Sequence, residues 1–167
     1  LMEDRRVAGV RFVTKQGMLC VRARVTVDAT GDGDVAFGAG AAFEKGRPGD
    51  GLLQPTSIMY TVAGLDDARA IYCGSEEAAQ QLRVAEETWE AITHRAQASG
   101  ELPGNVGVVR TYRTSRPGEA VVNATQVNHV DGTNVRDLTK AELEGRRQAF
   151  RVLEFLRKHA PGYEQAY

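Results

Sequence analysis

Several things are scarce in this chain, and each scarcity closes a class of function. Only two cysteines occur among 167 residues, Cys20 and Cys73. Their positions give no metal spacing, so they read as two buried, reduced thiols rather than a disulfide framework or a zinc site. The three histidines, His94, His129 and His159, stand far apart. No Ser/His/Asp or Cys/His constellation can be assembled from them, and no His-Glu-x-x-His is present. His94 and His159 read as surface residues of helices, and His129 as a loop residue beside Asp131. No apolar run approaches the ~18 residues of a membrane span, and no signal peptide is visible. The expectation is therefore a cytoplasmic protein with no membrane partner. Net charge is -1, which removes the electrostatic case for nucleic acid. A metal is not expected either. Asp28-x-Thr30-x-Asp32-Gly33 begins like a calcium loop, but Ala39 stands where the bidentate Glu is needed.

Glycine, by contrast, is abundant. There are 18, against a usual share of about 7%, with the densest cluster between Gly31 and Gly51. Apolar residues are interleaved with them, so the cluster reads as tight backbone geometry rather than disorder. The stretch Val25-Thr26-Val27-Asp28-Ala29-Thr30-Gly31-Asp32-Gly33-Asp34 has the pattern of a strand, a tight turn and a helix start. Glycine lets such a turn approach a ligand closely, because it has no Cβ.

In chain order, Val7 to Thr14 and Met18 to Ala23 are predicted strands around a Lys15-Gln16-Gly17 hairpin turn. Val25 to Ala29 continues as a third strand of a β-meander. Asp34 to Phe43 is predicted as a short helix, Glu44 to Leu53 as loop, and Thr56 to Val62 as a strand. The longest helix is expected over 75–99, with Ser75 as N-cap and Gly100 at C′. Its apolar stripe of Ala78, Leu82, Ala85, Trp89, Ile92 and Ala96 reads as core. Val106 to Tyr112 and Glu119 to Gln126 read as a hairpin with its loop at 113–118. A last helix is expected to start at a Thr139/Glu142 capping box, with Leu138 and Leu143 as its staple, and to stop near His159 before Pro161-Gly162. The class is α+β.

Two separated motifs resemble one family. The run from Val27 to Ala41, with Gly46-Arg47, Asp50-Gly51 and Gln54-Pro55-Thr56 behind it, is similar to FAD-dependent oxidoreductases of the glutathione-reductase-like flavoprotein superfamily. The branch is the one related to fumarate reductase flavoproteins. The run Val135-x-Asp137-Leu138-Thr139-x-Ala141-Glu142-x-Glu144-Gly145-Arg146-Arg147, followed by Phe155-Leu156-Arg157 and Pro161-Gly162-Tyr163-Glu164, resembles the same branch. The resemblance implies an FAD cofactor approached by Ala29, Thr30, Gly31, Asp32 and Gly33. It also implies hydride or electron transfer through flavin on a small-molecule substrate. Fumarate-reductase-like relatives carry a substrate-facing His before Pro-Thr. Gln54 stands before Pro55-Thr56 here, which makes Gln54 a candidate substrate contact.

The family's Gly-x-Gly-x-x-Gly fingerprint is absent, and so is its C-terminal flavin-contacting segment. The chain thus reads as an internal fragment of a longer flavoenzyme, expected to bind FAD weakly or not at all by itself. On that reading residues 1–45 carry the β-meander and second flavin-contacting segment of an FAD-binding domain. Residues 46–138 are substrate-domain-like strands and helix, and 139–167 form a helix returning towards the flavin domain. A non-catalytic binding or interaction domain derived from this fold stays open as the alternative. Oligomeric state, catalytic acid or base and electron partner have no signal in the sequence.

Overall fold

The computed structural model describes all of residues 1–167. The chain divides into two compact units, Leu1–Lys45 and Gly46–Tyr167. Both mix short antiparallel strands with helices, and the class is α+β.

In the first unit, β1 (Met2–Glu3) pairs with β2 (Arg6–Val7), and β3 (Gly9–Thr14) pairs with β4 (Gly17–Arg22). The predicted turn closes the longer hairpin. Thr14 pairs with Gly17, Thr14 Oγ1 donates to the Gly17 carbonyl at 2.9 Å, and it accepts from Gln16 N at 3.2 Å. Gly17 has φ 105, a conformation that glycine takes without strain. The single strand expected over 7–14 breaks at Ala8, and β3 begins at Gly9, which approaches the facing strand closely. A Cβ there would stand 2.1 Å from the Val21 carbonyl oxygen. The third strand of the meander, Val25 to Ala29, does not form. Val25 and Val27 are 77% and 82% exposed, with no neighbouring strand to pair with. The helix expected over 34–43 shortens to α1 (Asp34–Gly38). Phe37 and Phe43 stack edge-on past its end, with centroids 5.4 Å apart. Ala8 is the only hydrophobic side chain buried in this unit. Cys20, expected to be buried, lies exposed in β4.

The second unit holds the core. Its central sheet runs β5 (Met59–Ala63), β9 (Glu119–Asn123), β8 (Arg110–Arg113), all antiparallel. The expected hairpin is β8–β9. The strand expected over 56–62 starts three residues late, and Thr56 instead makes an isolated bridge to Val127. Ala120 and Val122, alternate residues of β9, point into the core.

The predicted 75–99 helix is two helices with a hairpin between them. They are α2 (Glu76–Gln81), β6 (Arg83–Val84), β7 (Glu87–Thr88) and α3 (Trp89–Ala98). Ser75 caps α2 as expected, its Oγ accepting from Ala78 N at 3.1 Å. Thr88 caps α3 in turn, accepting from Ala91 N at 3.2 Å. Between them Ala85 turns the chain at φ 54. The apolar stripe survives the break because Trp89 N donates to the Leu82 carbonyl at 2.8 Å, which keeps both ends of the hairpin at the core. Only Ala85 leaves the stripe for the surface.

The closing helix α4 (Val135–His159) ends where predicted but starts four residues earlier. Asn134 supplies the N-cap, accepting from Arg136 N at 3.0 Å. Thr139 lies inside the helix and its hydroxyl donates back to the Val135 carbonyl at 2.9 Å. Leu138 and Leu143 are 44% and 55% exposed and form no staple. α4 contributes Val152, Phe155 and Leu156 to the core beside Trp89, Leu102, Val109 and Tyr163. Tyr60 Oη ties β5 to this helix through the Ala149 carbonyl at 3.0 Å. His159 is not a surface residue. Its ring packs on Phe155 at 4.9 Å between centroids, and Nε2 lies 3.1 Å from both Glu101 oxygens.

Candidate functional site

The turn at 28–36 is built by one carboxylate. Asp28 Oδ1 accepts from Thr30 N at 3.1 Å and from Thr30 Oγ1 at 2.8 Å. Asp28 Oδ2 accepts from Ala36 N at 2.8 Å. Thr30 Oγ1 in turn accepts from Asp34 N at 2.8 Å. The Ala36 amide, and after it the Thr30 hydroxyl and amide, hold the Asp28 carboxyl below the usual carboxylate range. The three bonds span two to eight residues of sequence, so the turn carries its own staples.

Asp28 was not among the expected site residues. A signal for it did exist: Asp-x-Thr is the spacing at which an aspartate caps its own turn.

The clasp leaves the expected contact residues outside. Ala29, Thr30, Gly31 and Asp32 are exposed, and Gly33 is half-buried. Gly31 and Gly33 take φ 87 and φ 74, and a Cβ at either would meet nothing within 4 Å. Their glycine identity therefore answers backbone conformation, and the space beside them is open. The Asp32 carboxylate, unlike that of Asp28, has no hydrogen-bond or ion-pair partner in the chain. This donor and acceptor set fits FAD. Open backbone admits a flat or extended ligand, and a free carboxylate accepts from ligand hydroxyls.

Gly31-x-Gly33-x-x-Ala36 also satisfies the letters of a dinucleotide fingerprint. The surrounding structure does not match it. No strand precedes the turn and α1 has five residues, so no βαβ unit is present to hold a pyrophosphate.

The later part of the first motif, Gly46-Arg47 with Asp50-Gly51, is a closed loop of its own. Arg47 Nε lies 2.9 and 3.1 Å from the two Asp50 oxygens, and Arg47 Nη2 lies 2.7 Å from Oδ2. Asp50 Oδ1 also accepts from Leu52 N at 3.0 Å. Arg47 first, and then the Leu52 amide, hold Asp50 below its ordinary range. Gly46 is required here, because a Cβ would stand 2.2 Å from the Gly51 carbonyl oxygen. Gln54 follows this loop, exposed, just before the Thr56–Val127 bridge. It belongs to the second unit, whereas Ala29 to Gly33 belong to the first.

No group of three or more His, Cys, Asp or Glu side chains is placed to hold a metal ion. No helix is long and apolar enough to cross a membrane.

No curated protein and no solved structure matches this sequence. The family model described as FAD dependent oxidoreductase matches residues 1–167. The match spans both units, and with it the chain belongs to the FAD dependent oxidoreductase family, whose cofactor is FAD.

Proposed function

We propose that this chain serves hydride or electron transfer between a small-molecule substrate and FAD, with Ala29, Thr30, Gly31, Asp32 and Gly33 against the cofactor. When bound, the flavin supplies the redox chemistry, accepting or giving a hydride or electrons. The chain's own work is positioning. Thr30, Gly31 and Gly33 bring backbone close to the cofactor. Asp32 accepts hydrogen bonds from its hydroxyl groups. Asp28 keeps the turn in shape. Gln54, whose amide both donates and accepts, contacts a polar group of the substrate. On this reading residues 1–45 belong to the cofactor-binding part, residues 46–138 to the substrate side and residues 139–167 to a helix returning towards the flavin domain, in a cytoplasmic enzyme.

One observation supports this reading above the rest: within a turn locked by Asp28, Asp32 is left exposed and unpartnered beside two open glycines. The test is Asp32→Ala in the flavin-loaded enzyme, followed by flavin occupancy and the visible flavin spectrum. Losing a charge-assisted hydrogen bond weakens FAD binding by about tenfold or more. Unchanged occupancy together with an unchanged spectrum removes Asp32 from the site.

A further inference from the structure

The three-stranded sheet of the second unit has two edges, and the chain treats them differently. The outer edge of β8 is covered: Thr111 N donates to the Cys73 carbonyl at 2.9 Å, and Cys73 N donates to Thr111 Oγ1 at 3.1 Å. Arg110 and Arg113 stand at its two ends. The outer edge of β5 is closed at one rung only. There Ala63 N donates to the Tyr167 carbonyl and Tyr167 N to the Ala63 carbonyl, both at 3.0 Å.

Antiparallel pairing alternates in direction. With Ala63 turned outward, Val62 and Tyr60 exchange their bonds with β9, and Thr61 and Met59 turn theirs outward on the same side as Ala63. Nothing in the chain pairs with the outward amides and carbonyls of Thr61 and Met59. Met59 is 57% exposed, and Thr61 is exposed as well. Folded proteins usually blunt such an edge with charge, proline or a bulge. Met59-Tyr60-Thr61-Val62-Ala63 has no charge and no proline, and its register to β9 is unbroken.

The edge also selects what lies on it. A strand placed there puts alternate side chains on the two faces of the sheet. Those opposite Val62 and Tyr60 fall on the core side, next to the half-buried Tyr60 and to α4. Tyr60 Oη reaches the Ala149 carbonyl there, and Leu153 packs on the core one turn later. These positions favour apolar, β-branched residues. Those opposite Thr61 and Met59 lie on the outer face beside uncharged neighbours. A second copy fits poorly. Pairing two β5 strands about Tyr60 brings Ser57 of one copy to the place beside Ala63 of the other that Tyr167 fills. We propose that the β5 edge binds an extended segment of another polypeptide as a fourth, antiparallel strand, which starts beside Tyr167 and carries apolar residues opposite Val62 and Tyr60. The site does not depend on the flavin assignment.

The probe is the peptide acetyl-Val-Thr-Val-Thr-Val-Lys-amide, whose threonines stand against Thr61 and Met59. It is titrated into the full chain while the amide resonances of Thr61 and Met59 are followed by NMR. The new backbone hydrogen bonds give saturable shifts with a dissociation constant of about 1 mM, and exchange of both amides slows. N-methylation of the two threonines, whose N–H groups face β5, abolishes the shifts. N-methylation of the central valine, whose N–H faces away, leaves them. Replacing the valines with serine weakens binding by about tenfold. Thr61→Pro removes an outward donor where an edge strand tolerates proline, and it abolishes binding. Absence of saturable shifts overturns the proposal, as does equal binding of the two N-methylated peptides. Protection of Thr61 and Met59 that grows with protein concentration, with no peptide present, assigns the edge to a second copy and also overturns it. The comparison of peptides on the unmodified chain decides the matter even if Thr61→Pro fails to fold.

Discussion

Replacing Trp89 with phenylalanine tests the packing of the second unit where it is most concentrated. Trp89 is 1% exposed, and it is the chain's only tryptophan. Its Nε1–H donates to the Val109 carbonyl at 2.8 Å, joining the start of α3 to the residue just before β8. Its ring packs on Phe155 of α4, with centroids 5.3 Å apart. Trp89→Phe strands the carbonyl of a residue with no exposed surface, at a cost of about 1–3 kcal/mol. It also withdraws three heavy atoms from the core, worth about 2 kcal/mol at the usual value per buried carbon. The two effects together predict a loss of about 3–5 kcal/mol, a large part of the 5–15 kcal/mol that typical domains possess. For a unit of this size that corresponds to a melting point lower by about 15 °C. Urea unfolding followed by far-UV circular dichroism measures it, because the substitution removes the fluorophore. The midpoint should fall with no change in slope. A loss below about 1 kcal/mol would mean that the indole hydrogen bond and the contact with Phe155 do not hold α3 and α4 together.

Two further substitutions probe particular groups. Asp28→Asn can offer its one oxygen to Thr30 or to Ala36 but not to both, so amide hydrogen exchange at Ala36 or Thr30 accelerates; Asp28→Ala accelerates Thr30, Asp34 and Ala36 together, and unchanged exchange in the alanine variant would show that the turn holds without its clasp. Because the folded-state value of Asp28 is depressed, the same protection is complete above the ordinary carboxylate range and is lost as pH falls through the depressed value. At the alkaline end, burial pushes the Tyr163 phenol up to about 12, and its Oη donates to the Ile71 carbonyl at 3.0 Å. Its contribution is complete below the ordinary phenol value of about 10 and disappears as pH rises through about 12. Tyr163→Phe is less stable at neutral pH and loses less on going alkaline, and a variant whose alkaline unfolding curve overlays that of the parent would contradict this.

What could be read from the sequence is what short-range chemistry decides. The 15–17 turn needs one glycine with positive φ, and Gly17 supplies it. The end of α4 needs a stop after His159, and Pro161-Gly162 supplies that. The class and the FAD family were legible for another reason, since two long motifs point the same way. The errors fall where two local signals compete or where a partner is distant. Asn134 and Thr139 are both good caps. Asn134 prevails because the Asp131-to-Asn134 turn (Asn134 N to the Asp131 carbonyl, 2.9 Å) delivers it to the helix start. A stripe of period three to four ran across Ser75–Ser99. Yet the Arg83–Thr88 hairpin returns Trp89 to Leu82, so a broken path presents the same apolar residues to the core. Val25 to Ala29 has the composition of a strand, but a strand is made by its neighbour, and no strand of its own unit pairs with it. Cys20 is exposed along with every other residue of β4.

That missing strand bears on how the turn proposed to meet the cofactor holds its shape. In the sequence, Val25 to Ala29 looked like the support from which the turn at Thr30-Gly31-Asp32 projects. In the structure the support is absent and the turn keeps a defined conformation, because every bond that fixes it is local: Thr30 to Asp28, Asp34 to Thr30, Ala36 to Asp28. The sequence could not tell Asp28 from Asp32, since both are short acidic residues flanking the same glycine. Geometry separates them. Asp28 is half-buried and commits both oxygens to the turn, to Thr30 and to the Ala36 amide. Asp32 faces outward and spends nothing. A turn assembled this way needs no sheet to pre-form the proposed contact, and the free energy of binding a ligand there need not be used to order it.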